Sequence, residues 1–147
     1  MRYQLPSPEF FSANRERLAA RLEPGCLAVV NAHDVLPTCA DGVLPFRQNS
    51  DLFYLTGVDQ EETILLLFPD AHLEEDREIL FLRETDDHIR IWEGAKLDRE
   101  QAVEQTGIRT VRWLSDFEAT FRQLMIEGAG IYLNSNEHLR ATCLLYT

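Results

Sequence analysis

Asp86-Asp87-His88 is the densest local set of metal-binding residue types in the chain, and His33, Asp34 and Cys39 form a second set. Imidazole nitrogen, carboxylate oxygen and thiolate sulfur are the donors a transition metal takes, but a closed site needs several of them converging from spaced positions. Three adjacent residues do not converge on one ion without help from elsewhere, so Asp86, Asp87 and His88 read as a solvated turn. The spacing of His33, Asp34 and Cys39 matches no established ligand set. His72 and His138 stand among polar residues and define nothing further. There is no His-Glu-x-x-His pair, no Gly-rich phosphate loop and no Gly-x-Ser-x-Gly nucleophile turn. No catalytic residue and no metal ligand is assigned to this chain.

The stretch Phe46-Arg-Gln-Asn-Ser-Asp-Leu-Phe-Tyr-Leu-Thr-Gly57 carries more information. Ser50 is a candidate cap for a short helical turn, Asp51 suits its positive N-terminal end, and Gly57 supplies the left-handed geometry that stops it. Leu52, Phe53 and Leu55 are then expected to face a core, with Asp51 and Tyr54 open to either a structural or a binding role.

The elements around this turn alternate in type. Ser7-Pro8-Glu9 predicts a helix start and Pro24-Gly25 its end, with Phe11, Leu18 and Leu22 on one face. Cys26-Leu-Ala-Val-Val-Asn-Ala32 is apolar enough for a strand covered on both sides. His33 to Pro45, with Asp41-Gly42 inside it, reads as a loop. Thr63–Phe68 and Glu78–Leu82 predict neighbouring strands across a charged turn at Glu74, Glu75 and Asp76. Asp98 with Gln101 and Gly107 bracket a helix over Arg99–Thr106, a strand follows at Thr110–Trp113, and Ser115 with Glu118 form a second capping box. Phe117, Phe121 and Leu124 give the next helix an apolar stripe, and Ile131–Asn134 is a last strand. Strands alternating with helices predict an α/β domain whose mixed sheet is flanked by helices.

Composition narrows the function classes. The 147 residues, 45% hydrophobic, suffice for one domain, 1–147, with a sizeable core. A formal charge of −11 repels a phosphate backbone, which argues against nucleic acid as a partner. The 3 cysteines, Cys26, Cys39 and Cys143, show no Cys-x-x-Cys spacing and fit free thiols of the cytoplasm. No signal-peptide core and no membrane-length apolar run is present. The apolar ending Cys143-Leu-Leu-Tyr-Thr147 suggests a boundary within a longer protein.

The block from Phe46 to Gly57 resembles the Phe/Arg-x-x-Ser-Asp-Phe-x-Tyr-Leu-Thr-Gly signature of aminopeptidase P N-terminal domains, in the creatinase/prolidase superfamily. Thr63-Ile-Leu-Leu-Leu-Phe-Pro69, Ile79-Leu-Phe-Leu-Arg83 and Ile91-Trp-Glu-Gly-Ala-Lys96 follow in the family's order, the last resembling Glu-x-Trp-x-Gly-x-Arg. Arg90 stands where many members carry an acidic residue, and Lys96 where many carry arginine, so a role that needs a bidentate guanidinium is not met there.

The resemblance implies a creatinase-like N-terminal domain with a ribonuclease-H-like sheet arrangement. It implies a Xaa-Pro aminopeptidase whose two metal ions, usually manganese, sit in a C-terminal catalytic domain outside this sequence. This domain would then shape the substrate cleft and carry the contacts of a homo-oligomer, dimer or tetramer. It also marks substrate-cleft candidates: Trp92 as a broad apolar face for residues beyond the scissile bond, and Asp51 and Tyr54 as groups approaching the cleft. For Trp92 and Tyr54 the alternative is core packing, and for Asp51 a helix-start charge. A stand-alone binding or regulatory module of the same fold, a prolidase-like dipeptidase and a ribonuclease-H-like nuclease are the competing readings. The nuclease would need converging sheet-borne carboxylates that these strands do not supply.

Overall fold

The computed structural model describes residues 5–39, 42–85 and 96–134. Helix α1 (Pro8–Ala19) starts with proline at its first position, where no intrahelical N–H is needed. Ser7 makes no side-chain cap bond to the backbone. Its hydroxyl bonds Glu9 instead, which with the Glu9 backbone amide holds that carboxyl below its ordinary range. Strand β1 (Cys26–Asn31) follows, buried over its first five residues, as an apolar run covered on both faces requires.

The expected loop at His33 to Pro45 contains a small antiparallel hairpin, β2 (Pro37–Cys39) and β3 (Gly42–Val43). Its prolines lie at the start of a short exposed strand and beside it, positions where a missing donor costs little. Helix α2 (Ser50–Thr56) is capped by Asn49 rather than Ser50: Asn49 Oδ1 accepts from Asp51 N at 2.9 Å and Leu52 N at 3.1 Å. Gly57 closes it at φ 71°, as its type predicts. Leu52 and Leu55 are buried, whereas Phe53 is only half-buried and lines a shallow surface hollow with Phe10 and Phe46. Seven helical residues present only a narrow inward stripe, and Leu52, Leu55 and Thr56 fill it.

Strands β4 (Ile64–Leu67) and β5 (Glu78–Leu82) flank a 3-10 turn at Glu74–Asp76. Helix α3 (Arg99–Thr106) carries the expected capping box between Asp98 and Gln101 and ends at Gly107 in the left-handed region. Strand β6 (Thr110–Trp113) leads through a 3-10 turn into α4 (Phe117–Glu127) and β7 (Gly130–Leu133). The second capping box does not form, because α4 is entered through that turn and Ser115 hydrogen-bonds Glu84 instead, holding its carboxyl below the ordinary range.

The sheet order is β6-β5-β4-β1-β7. Strand β4 runs antiparallel to both neighbours, and β1 with β7 and β5 with β6 are parallel. Four strands therefore point one way and β4 the other, the mixed sheet expected. The period-2 alternation divides the core. Ala28, Val30, Leu65, Leu67, Leu80 and Leu82 pack on one face with Leu52 and Leu55 of α2 and Ala102 of α3. Leu27, Val29, Leu66, Ile79 and Phe81 pack on the other with Leu124 of α4.

Candidate functional site

Arg15 of α1 is fully buried and ties three elements together. Its Nη1 donates to Leu55 O at 2.9 Å and Thr106 O at 3.0 Å, and its Nε donates to Glu78 of β5 at 3.1 Å. Leu55 and Thr106 lie in the last turns of α2 and α3, where carbonyls lack intrahelical donors and the helix dipole favours a cation. The two helices also end alike, in Thr56-Gly57-Val58 and Thr106-Gly107-Ile108. Each threonine hydroxyl donates four residues back, to Leu52 O and Ala102 O, and accepts from the amide two residues on. Arg15 and these terminators fix α2, and with it the signature segment.

Within that segment the polar residues work inward. Gln48 Nε2 donates to Val58 O at 3.1 Å and Gln60 O at 2.7 Å. His33 Nδ1 lies 3.0 Å from Arg47 O and its Nε2 lies 3.4 Å from Asn49 Nδ2. A neutral imidazole protonated on Nδ1 satisfies both contacts, donating to the carbonyl and accepting from the amide. His33 therefore holds residues 47–49 in place, which leaves neither ring nitrogen free for a metal. Among the described residues no group of three or more His, Cys, Asp or Glu is gathered to hold an ion. Cys26 is buried and Cys39 exposed, both as free thiols. Asp86, Asp87, His88, Arg90, His138 and Cys143 lie outside the described residues.

With Gln48 and Asn49 turned inward, α2 presents Asp51 and Tyr54 outward on one face. Tyr54 is half exposed, its ring edge-on to Phe10 at 6.1 Å between centroids, while its backbone carbonyl accepts from Asn14 Nδ2 at 2.9 Å. Asp51 and Tyr54 line a groove of about 560 Å³ together with Arg17 and Arg21 of α1 and Tyr132 of β7. The structure thus brings two of the three cleft candidates to one groove, and Trp92 lies outside the described residues.

A second concavity, of about 1200 Å³, lies on the α4 side of the sheet. Its rim carries Glu61 paired with Lys96 and Glu62 paired with Arg83 at 3.0 Å. Burial pushes the Glu61 carboxyl up, but the hydrogen bond and charge of Lys96, its own backbone amide and Arg83 together outweigh this and hold it below the ordinary value. Lys96 acts as a point charge on one carboxylate oxygen, a contact that asks for no guanidinium fork. Leu97 N donates to Gln60 Oε1 at 2.9 Å, so the segment that leads into β4 holds both Lys96 and Leu97. Arg15, Asn49 and Glu61 were not singled out in the sequence. The Thr-Gly-aliphatic repeat was the only local signal pointing to the first of them.

The family described as Aminopeptidase P, N-terminal domain, matches residues 11–132. The chain belongs to that family. It is 31% identical over 141 residues to Xaa-Pro aminopeptidase of Escherichia coli, covering 95% of this chain and 31% of that protein. It is 27% identical over 129 residues to the Xaa-Pro aminopeptidase of Haemophilus influenzae, covering 88% and 29%. A solved variant of Escherichia coli aminopeptidase P superposes with a TM-score of 0.81 at 27% identity, over 97% of this chain and 32% of that one. A putative aminopeptidase P from Bacillus anthracis gives 0.82 at 27% identity, over 90% and 32%. The chain spans about a third of the length of these relatives.

Proposed function

We propose that this chain is the non-catalytic N-terminal domain of a metal-dependent Xaa-Pro aminopeptidase. It shapes the substrate cleft and carries subunit contacts, while a C-terminal catalytic domain removes the N-terminal residue that precedes proline. The observation that carries this reading is coverage: the N-terminal-domain family spans residues 11–132, and relatives named Xaa-Pro aminopeptidase extend far beyond the 31% that the chain matches. The described residues gather no metal-ligating cluster, which supports assigning the metal-bound hydroxide of such hydrolases to the remainder of the polypeptide. Two metal ions belong there in this reading, with manganese as the physiological pair. Among the solved relatives, one Escherichia coli aminopeptidase P is described as zinc-substituted and in complex with product.

On the domain itself, the outward face of α2 supports cleft roles for Asp51, as a counter-charge to a peptide's amino terminus, and Tyr54, as an apolar wall with a polar tip. Trp92 is assigned the platform for substrate residues beyond the scissile bond. Free thiols, and the absence of any described helix long and apolar enough to cross a membrane, support a cytoplasmic setting. The exposed aliphatics of the hairpin, Leu36, Val43 and Leu44, support burial in a homo-oligomer.

The test compares the purified chain with the parent polypeptide obtained from the downstream reading frame, both loaded with manganese, on Xaa-Pro peptides of increasing length. The parent releases the first residue and the chain alone releases none. In the parent, Trp92→Ala slows long peptides more than dipeptides. Turnover by the rigorously purified chain, or a metal-loaded parent inert on every Xaa-Pro peptide, overturns the reading.

A further inference from the structure

The end of α2 and the helix α3 border a hollow of about 310 Å³ lined by Gln60, Gln101 and Gln105, with Gly57, Lys96 and Leu97 beside them. Each of these side-chain amides has one end held by the backbone. Gln60 Oε1 accepts from Leu97 N at 2.9 Å, Gln101 Oε1 accepts from Asp98 N at 3.2 Å in the capping box, and Gln105 Nε2 donates to Gly57 O at 2.8 Å. Reversing any of them would set donor against donor or acceptor against acceptor. What remains for the hollow is an NH2 group from Gln60, another from Gln101 and a carbonyl oxygen from Gln105.

Gln60 is the residue out of balance. It is 6% exposed, and its backbone carbonyl accepts from Gln48 Nε2 at 2.7 Å and Thr63 Oγ1 at 3.0 Å, which fixes the chain that bears it. Its Nε2 is buried and has no hydrogen-bond partner among the described residues. A buried donor left without an acceptor is uncommon, because it gives up water and receives nothing in return. The unmet donor belongs to an amide whose other end contacts Leu97, itself a wall of the hollow, so the hollow is the side from which an acceptor reaches it.

The chemistry of the missing acceptor follows by elimination. An ammonium group would meet two NH2 groups. A carboxylate would leave Gln105 Oε1 against another oxygen, and Lys96, the cation at the hollow, is already paired with Glu61. A neutral secondary amide suits all three side chains: its carbonyl oxygen offers two lone pairs to Gln60 and Gln101, and its N–H donates to Gln105. We propose that the hollow is a peptide-binding site, distinct from the groove of Asp51 and Tyr54, in which one main-chain peptide group of an extended peptide pairs with Gln60, Gln101 and Gln105. The hollow and that groove share no described lining residue. The site requires a peptide nitrogen that carries hydrogen. The bond before proline is a tertiary amide without one, so the site holds a peptide elsewhere along its length than at an Xaa-Pro bond. It stands whether or not the parent protein cleaves such bonds.

The probe is N-acetyl-triglycine methylamide, which has no free amino terminus and no proline and is therefore not a substrate of the proposed peptidase. Its counterpart, N-acetyl-trisarcosine dimethylamide, carries methyl in place of every amide hydrogen and keeps the carbonyls. Equilibrium dialysis against the parent protein should show saturable binding of the triglycine probe in the millimolar range. The methylated probe should bind about tenfold more weakly, the effect of one lost hydrogen bond. Gln60→Met, close in volume but without a donor, and Gln101→Met, at an exposed position of α3, should each weaken the triglycine probe about as much, with thermal midpoints reporting that they fold. Should Gln60→Met not fold, Gln101→Met alone decides. Absence of saturable binding overturns the proposal, as does equal affinity for the methylated probe or undiminished binding by the folded variants. A crystal structure of the parent soaked with the probe, in which Gln60 Nε2 meets only water, also overturns it. An Xaa-Pro peptidase assay on the same preparation keeps the two failures apart: an active enzyme that ignores the triglycine probe sinks this inference and leaves the functional reading standing.

Discussion

Arg15 Nε and Glu78 Oε2 lie 3.1 Å apart, one on a helix and the other on a strand, with the arginine side chain fully buried and the glutamate one-third exposed. The same guanidinium holds the ends of α2 and α3. The pair thus joins the sheet to α2 and α3 on its first face, and the segment bearing Asp51 and Tyr54 takes its position from it.

Replacing Arg15 with methionine removes three donor contacts and leaves two helix-end carbonyls buried. The expected loss is about 2–6 kcal/mol, since each buried carbonyl left without a donor costs about 1–3 kcal/mol. Arg15→Lys should recover little, because one ammonium cannot reproduce a planar fork that reaches Glu78 and both carbonyls together. Urea unfolding of the two variants checks this. A lysine variant as stable as the parent would show that charge alone suffices.

Gly57 and Gly107 share a left-handed backbone, φ 71° and 74°, but not their surroundings. A Cβ at Gly57 would stand 2.4 Å from Phe11 Cζ, whereas at Gly107 the nearest atom, Pro8 Cβ, is 3.5 Å away. Gly107→Ala should cost about 1 kcal/mol from backbone strain, and Gly57→Ala more, since a buried ring must also move. Equal shifts in thermal midpoint for the two variants would refute the steric part.

Asn49→Ala should cost about 1–2 kcal/mol, because it removes the cap of α2 together with the contact to His33. Ser50→Ala should fall within about 0.5 kcal/mol, as expected for an exposed residue outside the cap. Denaturant midpoints of the two decide it, and the reverse order would return the cap to Ser50.

Glu61 has its carboxyl pKa held below 4.5, so it binds a proton less readily folded than unfolded. Its contribution to stability is therefore fully present above the unfolded value of about 4.5 and is lost as pH falls through the lower folded value. Lys96→Met removes the principal stabilising partner and should flatten this part of the acid limb of a stability–pH profile. An acid limb of unchanged steepness would assign that dependence to other carboxylates.

Local chemistry marked most element boundaries. Asp98, Gln101 and Gly107 bracketed α3, and the spans of β5 and β6 match the expected strands residue for residue, because a capping box and a short strand between turn signals are complete within a few residues. The helix caps were ambiguous where two candidates stood side by side. Asn49 prevails over Ser50 with its amide meeting His33, 16 residues earlier in the chain. Ser115 caps nothing, being engaged by Glu84 across the sheet end. Phe53 looked like a core residue by type, but α2 is too short to bury more than one narrow stripe.

The amino-acid sequence by itself determined the alternation of helices and strands, the family and the absence of a recognisable catalytic motif, since these depend on residue type and short-range spacing. The tertiary structure alone decided which polar residues turn inward. Arg15 meets Leu55, Glu78 and Thr106 across 40, 63 and 91 residues, separations at which no local pattern carries information. It also decided that, among the described strands, β7 pairs with β1 at the end of the sheet order, because strand order arises from pairing between distant segments and not from the strand's own residues.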